Sequence, residues 1–396
     1  MDKLLSLLFV ILIGLSPLSC KSKANSSNTP EKIKVGAEAM QEYLPLLKGK
    51  RVGLIINHTS TIGKTHLLDT LLSSDVNVTA IFAPEHGFRG DADAGAHIDN
   101  SKDAKTGISI VSLYGKNKKP TAEQIKGIDI FVFDIQDVGV RFYTYISTLH
   151  YIIEAASENN KPLIVLDRPN PNGHYVAGPV LEKEFKSFVG MNPIPVVYGL
   201  TMGELAEMIN GESWANKTEC DLTVIKCENY DHTSAYELPI KPSPNLPNAQ
   251  SIYLYPSICF FEPTQISVGR GTDNQFQVIG GPDKNLGNYH FIPTDKPGAH
   301  NPVNKGIDCY GLDLRKVDAF ANGFDLKLLF DFYNNFEKKS SFFTNEKFFN
   351  LLTGNSWILK DLKAGKSAEE VQGKWQEDLK AFKTLRKKYL LYTDFE

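Results

Sequence analysis

The sequence predicts an α/β protein: a Rossmann-like, doubly wound and mostly parallel sheet, with a second, smaller mixed α/β domain. Two observations carry the first part. Short, continuous apolar runs recur between segments of helical period, the pattern of strands covered by helices on both faces. Each of the main runs also stops at polar residues, as expected where strand ends line a crevice. A third observation marks the boundary. Near residue 240 the chain turns to "ELPIKPSPNLPNAQ", rich in Pro and Asn, which reads as a connector.

In chain order, "GAEAMQEYLPLL" has a helical period and "RVGLIIN" is a buried strand. "GKTHLLDTLLSS" predicts a helix and "VNVTAIF" a strand. "ISIVSLYG" is a shorter strand, and "TAEQIKGI" a helix that leads into the strand "DIFVFDI". "YTYISTLHYIIEAASENN" carries a strong amphipathic pattern, so it predicts a helix before the strand "PLIVLD". "TMGELAEMING" and "DLTVIKC" add one more helix and strand to this layer. Beyond the connector, "SIYLYPSICFFE", "QFQVIGGP" and "CYGLDLRK" precede helices that include "AEEVQGKWQEDLKAFKTLRKKYLLY". Residues 32–239 and 240–396 are thus the two expected domains, without internal repeats.

The 396 residues are 42% hydrophobic and 22% charged with a net charge of −3, long enough for two cores. No basic stripe or aromatic-interleaved Lys/Arg run is present, which argues against nucleic acid as a partner. The N-terminus, "MDKLLSLLFVILIGLSPLSCKSK", combines a Lys, a short apolar run and a small residue before Cys20. Residues 1–20 read as a lipoprotein-type signal with Cys20 the acylated residue, and residues 21–31 as a flexible tether. The expectation is an exported, periplasmic or cell-envelope lipoprotein that meets the membrane only through its lipid. Of the other cysteines, Cys220 and Cys227 flank a strand-like run. On one straight strand they would sit about 23 Å apart, too far to bridge.

Chemistry collects at the strand ends. The first strand runs into Asn57 and His58, and the second into Glu85 and His86. "DIFVF" runs into Asp134, Gln136 and Asp137, and "PLIVL" into Asp167, Arg168 and Asn170. One such ending is an ordinary helix cap; four together predict a site at the carboxyl edge of the sheet. No GxGxxG follows the first strand and no GxxxxGK[ST] occurs, so no nucleotide cofactor is expected. Paired carboxylates fit glycoside cleavage better. One acid protonates the leaving oxygen, and a second carboxylate or a substrate acetamide meets the oxocarbenium ion. Glu85, flanked by Ala83, Pro84 and Phe88, is the expected acid, since apolar surroundings favour a neutral carboxyl. Asp134, Asp137 and Glu262 are the candidates for the second role. Arg89, Arg141 and Arg270 are the candidate clamps for an anionic substrate group.

"APEHGFRGDADAG", "FDIQDVGVRFYTYISTL", "LDRPNPNGHYVAGPVLE", "PSPNLPN" and "SVGRGT" occur in that order. Together they resemble the NamZ-type exo-β-N-acetylmuramidases, peptidoglycan-processing glycosidases long known as a domain of unknown function. The resemblance runs from about Ile33 to the C-terminus. It implies two domains with a cleft between them, and release of terminal N-acetylmuramic acid from the non-reducing end of peptidoglycan fragments. The motif glutamate falls on Glu85, and Tyr143 and Asn245 lie inside matching motifs and join the binding set. "EPTQ" at 262–265 departs from the EGTN common in the family but retains Glu262. Two rival readings are a metal-dependent hydrolase, using His58, His86, Asp134 and His150 or His174, and a non-catalytic cell-wall glycan-binding lipoprotein. No HExxH or comparable cluster supports the first, and the second has no need of Glu85 in a crowded turn.

Overall fold

A computed structural model describes residues 31–89, 100–216 and 218–396. The signal reading, Cys20 and nearly all of the tether lie outside the described residues. The central sheet is built from β1 (Arg51–Ile56), β2 (Asn77–Ala83), β3 (Ser101–Lys102), β4 (Ser109–Ser112), β5 (Ile130–Asp134), β6 (Leu163–Leu166) and β7 (Leu222–Ile225). Their order is β3-β4-β2-β1-β5-β6-β7, parallel throughout except for β3 against β4. β1 lies near the centre, with Leu54 in register with Ile81 on one side and Val132 on the other.

Alternation along each strand divides the core between the two faces. Ile55, Phe82, Phe131, Phe133 and Val165 face α3 (Tyr145–Glu158) and α4 (Met202–Gly211). Leu54, Ile56, Ile81, Val132 and Ile164 pack with Tyr43 and Leu47 of α1 (Met40–Leu47) and Leu67, Leu68 and Leu71 of α2 (Leu67–Ser73). The first "GAEAMQEYLPLL" element is shorter than expected: Gly36–Glu38 is a separate 3-10 turn. α2 likewise begins late, because Thr65–His66 pairs with Thr61–Ile62 in a small hairpin and the His66 ring caps the helix.

The second domain holds a three-stranded antiparallel sheet, β8 (Val278–Gly281), β9 (Tyr289–Phe291) and β10 (Cys309–Asp313), with β10 in the middle. "SIYLYPSICFFE" is helical: α5 (Ala249–Ile258) starts at a reciprocal cap between Asn248 and Ser251 and ends in the turn Cys259–Phe261. The α3 face of the sheet continues without a break into Phe260, Phe261, Phe276, Phe342 and Trp375. Ile33–Glu396 is accordingly one compact unit.

Polar ties hold the connector against the sheet. Tyr143 and Tyr145 both donate to the Pro242 carbonyl, at 3.0 and 3.2 Å, and the His58 ring bonds the Lys241 carbonyl at 2.9 Å. All four described cysteines are buried and unbridged.

Candidate active site

β2 ends at Ala83, and the chain turns at once, with Gly87 N–H donating to the Pro84 carbonyl at 3.0 Å. His86 and Gly87 take φ values of 68° and 75°. Left-handed backbone is ordinary for glycine and costly for histidine, and such strain is concentrated at functional sites. The turn stops the strand and presents Glu85 and His86 to a cavity of about 350 Å³. Thr144 Oγ1, just ahead of α3, donates to Glu85 Oε2 at 2.6 Å. The Tyr114 hydroxyl bonds the same carboxyl. Burial, and then that carboxyl, push the Tyr114 phenol well up, so it remains a donor.

Glu262 and Arg270, from the second domain, line the same cavity. Glu262 follows the Cys259–Phe261 turn, and Arg270 stands between Gly269 and Gly271, at φ 79° and 77°. A Cβ on those glycines would lie 2.6 Å from the Asn274 carbonyl oxygen and 2.4 Å from that of Thr294. Only glycine fits a turn this close. Arg270 Nε donates to Glu262 Oε1 at 2.8 Å, and the guanidinium lies 5.0 Å from the Phe276 ring centre. Phe276 also has positive φ, at 54°, so both walls carry strained backbone.

Of the four expected catalytic carboxylates, the structure brings Glu85 and Glu262 to the cavity. Asp134 is fully buried, and Arg168 grips it through Nε at 2.5 Å and Nη2 at 2.9 Å. Asp137 accepts from the Tyr198 hydroxyl at 2.5 Å and the Gly139 N–H at 2.7 Å, away from the cavity lining. Both are corrected to structural roles, because neither presents an open oxygen to the cavity. Arg141 is corrected as well: fully buried, it donates to the carbonyls of Pro179, Ile194, Leu352 and Thr353 and lies outside the cavity lining.

The other strand-end residues tie loops together. Asn57 Oδ1 accepts from Thr59, Thr59 Oγ1 from Gln136 N–H, and Gln136 Nε2 donates to the carbonyls of Asp137 and Pro169. Asp167 accepts from Thr201, Gly203 and Tyr392, and Asn170 braces Leu200 and Asn172. Arg89 is largely exposed on Asp103, outside the lining. His86, Tyr143 and Asn245 do line the cavity. Asn245 donates to the Gly298 carbonyl at 2.8 Å, while its Oδ1 is buried without a partner among the described residues. The residues invoked for a metal are dispersed: Asp134 holds Arg168, His150 bonds Asn192, and His174 stacks on Phe320.

Sequence reasoning missed Tyr114, Lys118, Thr144, Phe188, Ser243 and Tyr255 of the lining. Tyr114 follows β4, so the strand-end rule applied to "ISIVSLYG" would have found it. The others come from loops, a helix start and, for Tyr255, the body of α5, which only the fold brings near Glu85.

Family models for the N-terminal and C-terminal parts of exo-β-N-acetylmuramidase NamZ match residues 52–250 and 253–392. The chain belongs to the NamZ family of exo-β-N-acetylmuramidases. It is 40% identical over 400 residues to the peptidoglycan β-N-acetylmuramidase NamZ of Bacillus subtilis (strain 168), covering 94% of each chain. Two crystal structures of DUF1343 family proteins from Bacteroides fragilis NCTC 9343 share the fold. One has a TM-score of 0.85 at 47% identity, covering 92% of this chain and 99% of that one. The other has a TM-score of 0.79 at 33% identity, covering 91% and 99%. In this member of the NamZ family the "EPTQ" departure is well anchored. The Pro263 carbonyl accepts from Thr344, and Gln265 Nε2 donates to Ser341 at 2.7 Å, so Glu262 still reaches the cavity.

Proposed function

We propose that this protein is an exo-acting glycoside hydrolase that releases terminal β-linked N-acetylmuramic acid from the non-reducing end of peptidoglycan fragments. One observation carries the reading at the site: of four candidate carboxylates, the two brought to one cavity, Glu85 and Glu262, come from different domains. Glu85 is the proton donor to the glycosidic oxygen. Thr144 and the Tyr114 hydroxyl hold its carboxyl at the cavity wall, where it meets the substrate. Glu262, ion-paired with Arg270, is the negative group that meets the oxocarbenium ion. The aromatic walls, Phe142, Tyr143, Tyr255 and Phe276, offer apolar faces to a sugar ring, and Asn245 Oδ1 accepts from a hydroxyl or the acetamide N–H.

The test is a β-N-acetylmuramyl chromogenic glycoside beside its N-acetylglucosaminyl analogue. Preferential release from the muramyl compound is expected, and no release from either would defeat the reading. In the same proposal, a lipid on Cys20 holds the enzyme in the cell envelope. Cys20→Ser should move it from the membrane to the soluble fraction, and unchanged fractionation would remove the anchor.

A further inference from the structure

We infer that Lys118 is the cation that receives the lactyl carboxylate of the terminal muramic acid. The inference rests on the glycosidase reading of the same cavity. Muramic acid differs from glucosamine by a lactyl ether, which adds one carboxylate, so a site that prefers it needs a cation there.

Among the described residues, two cationic side chains line the cavity, Lys118 and Arg270. Arg270 is engaged by Glu262 at 2.8 Å, so its charge is already balanced. Lys118 forms no ion pair among the described residues. The residue is half-buried, and its ammonium lies 4.4 Å from the Phe188 ring centre. That ring is held from behind, stacked on Tyr151 at 6.4 Å and tilted against Tyr114 at 6.0 Å. An aromatic face steadies a cation without neutralising it.

The loop presents this lysine by anchoring its neighbour. Lys119 bonds Glu154 at 3.1 Å and Glu158 at 2.9 and 3.0 Å on α3, and Pro120 is buried. Adjacent lysines thus have opposite fates: one fastens the loop and the other faces the cavity. The charges agree. Among the Lys, Arg, Asp and Glu side chains of the lining, when Glu85 carries the proton it is to donate, Glu262 and Arg270 cancel and Lys118 is left as the excess charge, matching one carboxylate. At about 350 Å³ the cavity is near the lower end of the ~300–1,000 Å³ usual for small-molecule sites, room for one substituted sugar. The lactyl group is the anion such a sugar brings.

The experiment uses Lys118→Met, which keeps length and removes charge, and Lys118→Arg, which restores charge. Substrates are the β-N-acetylmuramyl chromogenic glycoside and its lactyl methyl ester, of nearly the same size but neutral. Lys118→Met should lose roughly 10- to 100-fold in kcat/KM on the acid, the range for one hydrogen bond to a charged group. It should leave the ester within about twofold, and Lys118→Arg should recover most of the loss. Equal loss on both substrates would make Lys118 a prop for the wall and overturn the inference, as would no loss on either. A loss confined to natural fragments with carboxylates on the leaving part would also overturn it, by moving the cation to that part. Calorimetric binding of free N-acetylmuramic acid separates this inference from the glycosidase reading. A wild-type protein that binds the acid through Lys118 but cleaves no muramyl glycoside would sink the reading and keep the inference.

Discussion

A carboxyl that protonates a leaving oxygen must be held in place by its neighbours and face the substrate's cavity. Glu85 has that arrangement, with Thr144 and the Tyr114 hydroxyl on its carboxyl and a cavity in front. Glu85→Gln keeps the shape and removes the proton. Turnover of a substrate with a poor leaving group should fall by about 10²–10⁴-fold with binding largely kept. A chromogenic substrate would hide the loss, so the release of muramic acid from a natural disaccharide is the quantity to follow. Near-wild-type release would end the assignment. Arg270→Ala should instead lower activity on the muramyl acid and its ester alike, because the arginine holds Glu262; a loss confined to the acid would make Arg270 the reader of the lactyl group. At this scale "PEHG" was legible, because an acid and an imidazole on a glycine turn after an apolar strand are unusual. The roles of Asp134 and Arg141 were not, since a buried charge and an exposed one are written with the same letters.

Elements are joined here by single long side chains. Arg141, between β5 and α3, donates to Pro179 and Ile194 from the first domain and to Leu352 and Thr353 from the second. Arg141→Met leaves four buried carbonyls without that donor, each loss costing about 1–3 kcal/mol before water re-enters. A destabilisation of at least about 3 kcal/mol is expected, read as a lower urea midpoint. A change below about 1 kcal/mol would mean the two domains hold together without it. The main strands, α3 and α4 were readable from apolar period and length. α5 was not, because aromatic and β-branched residues such as Ile252, Tyr253 and Tyr255 suit a strand equally well, and packing on Phe142 decides.

For the whole molecule, buried acids set how stability follows pH. Burial pushes Asp137 up to about 7 and Asp167 up to about 6, from 3.8, and their hydrogen-bond donors offset this only in part. Asp137 Oδ1 has no partner among the described residues, which leaves it free to carry the proton. Between about pH 4 and 7 the folded chain therefore binds protons that the unfolded chain has lost, and stability from these groups falls as pH rises. The slope is at most about 1.4 kcal/mol per pH unit for each group. Wild type should have a higher urea midpoint at pH 5.0 than at pH 7.5, and Asp137→Asn should narrow the gap. The same gap in both proteins would show that Asp137 does not carry the effect.

Sequence alone determined the α/β class, the mostly parallel character of the main sheet, the turn bearing Glu85 and the glycine-flanked Arg270. Each is a local statement: strand burial, turn chemistry and left-handed backbone are encoded by neighbouring residues. Which polar strand ends meet a substrate was decided only by the tertiary structure. Asp134 and Arg168, 34 positions apart, neutralise each other inside the sheet edge, while Glu85 and Glu262, 177 apart, meet at one cavity. Lys118 and Lys119 show the same limit most sharply: one letter repeated, with α3 carboxylates beside the second ammonium and none among the described residues beside the first. The sum of a side chain's electrostatic partners depends on packing, and packing depends on the whole chain.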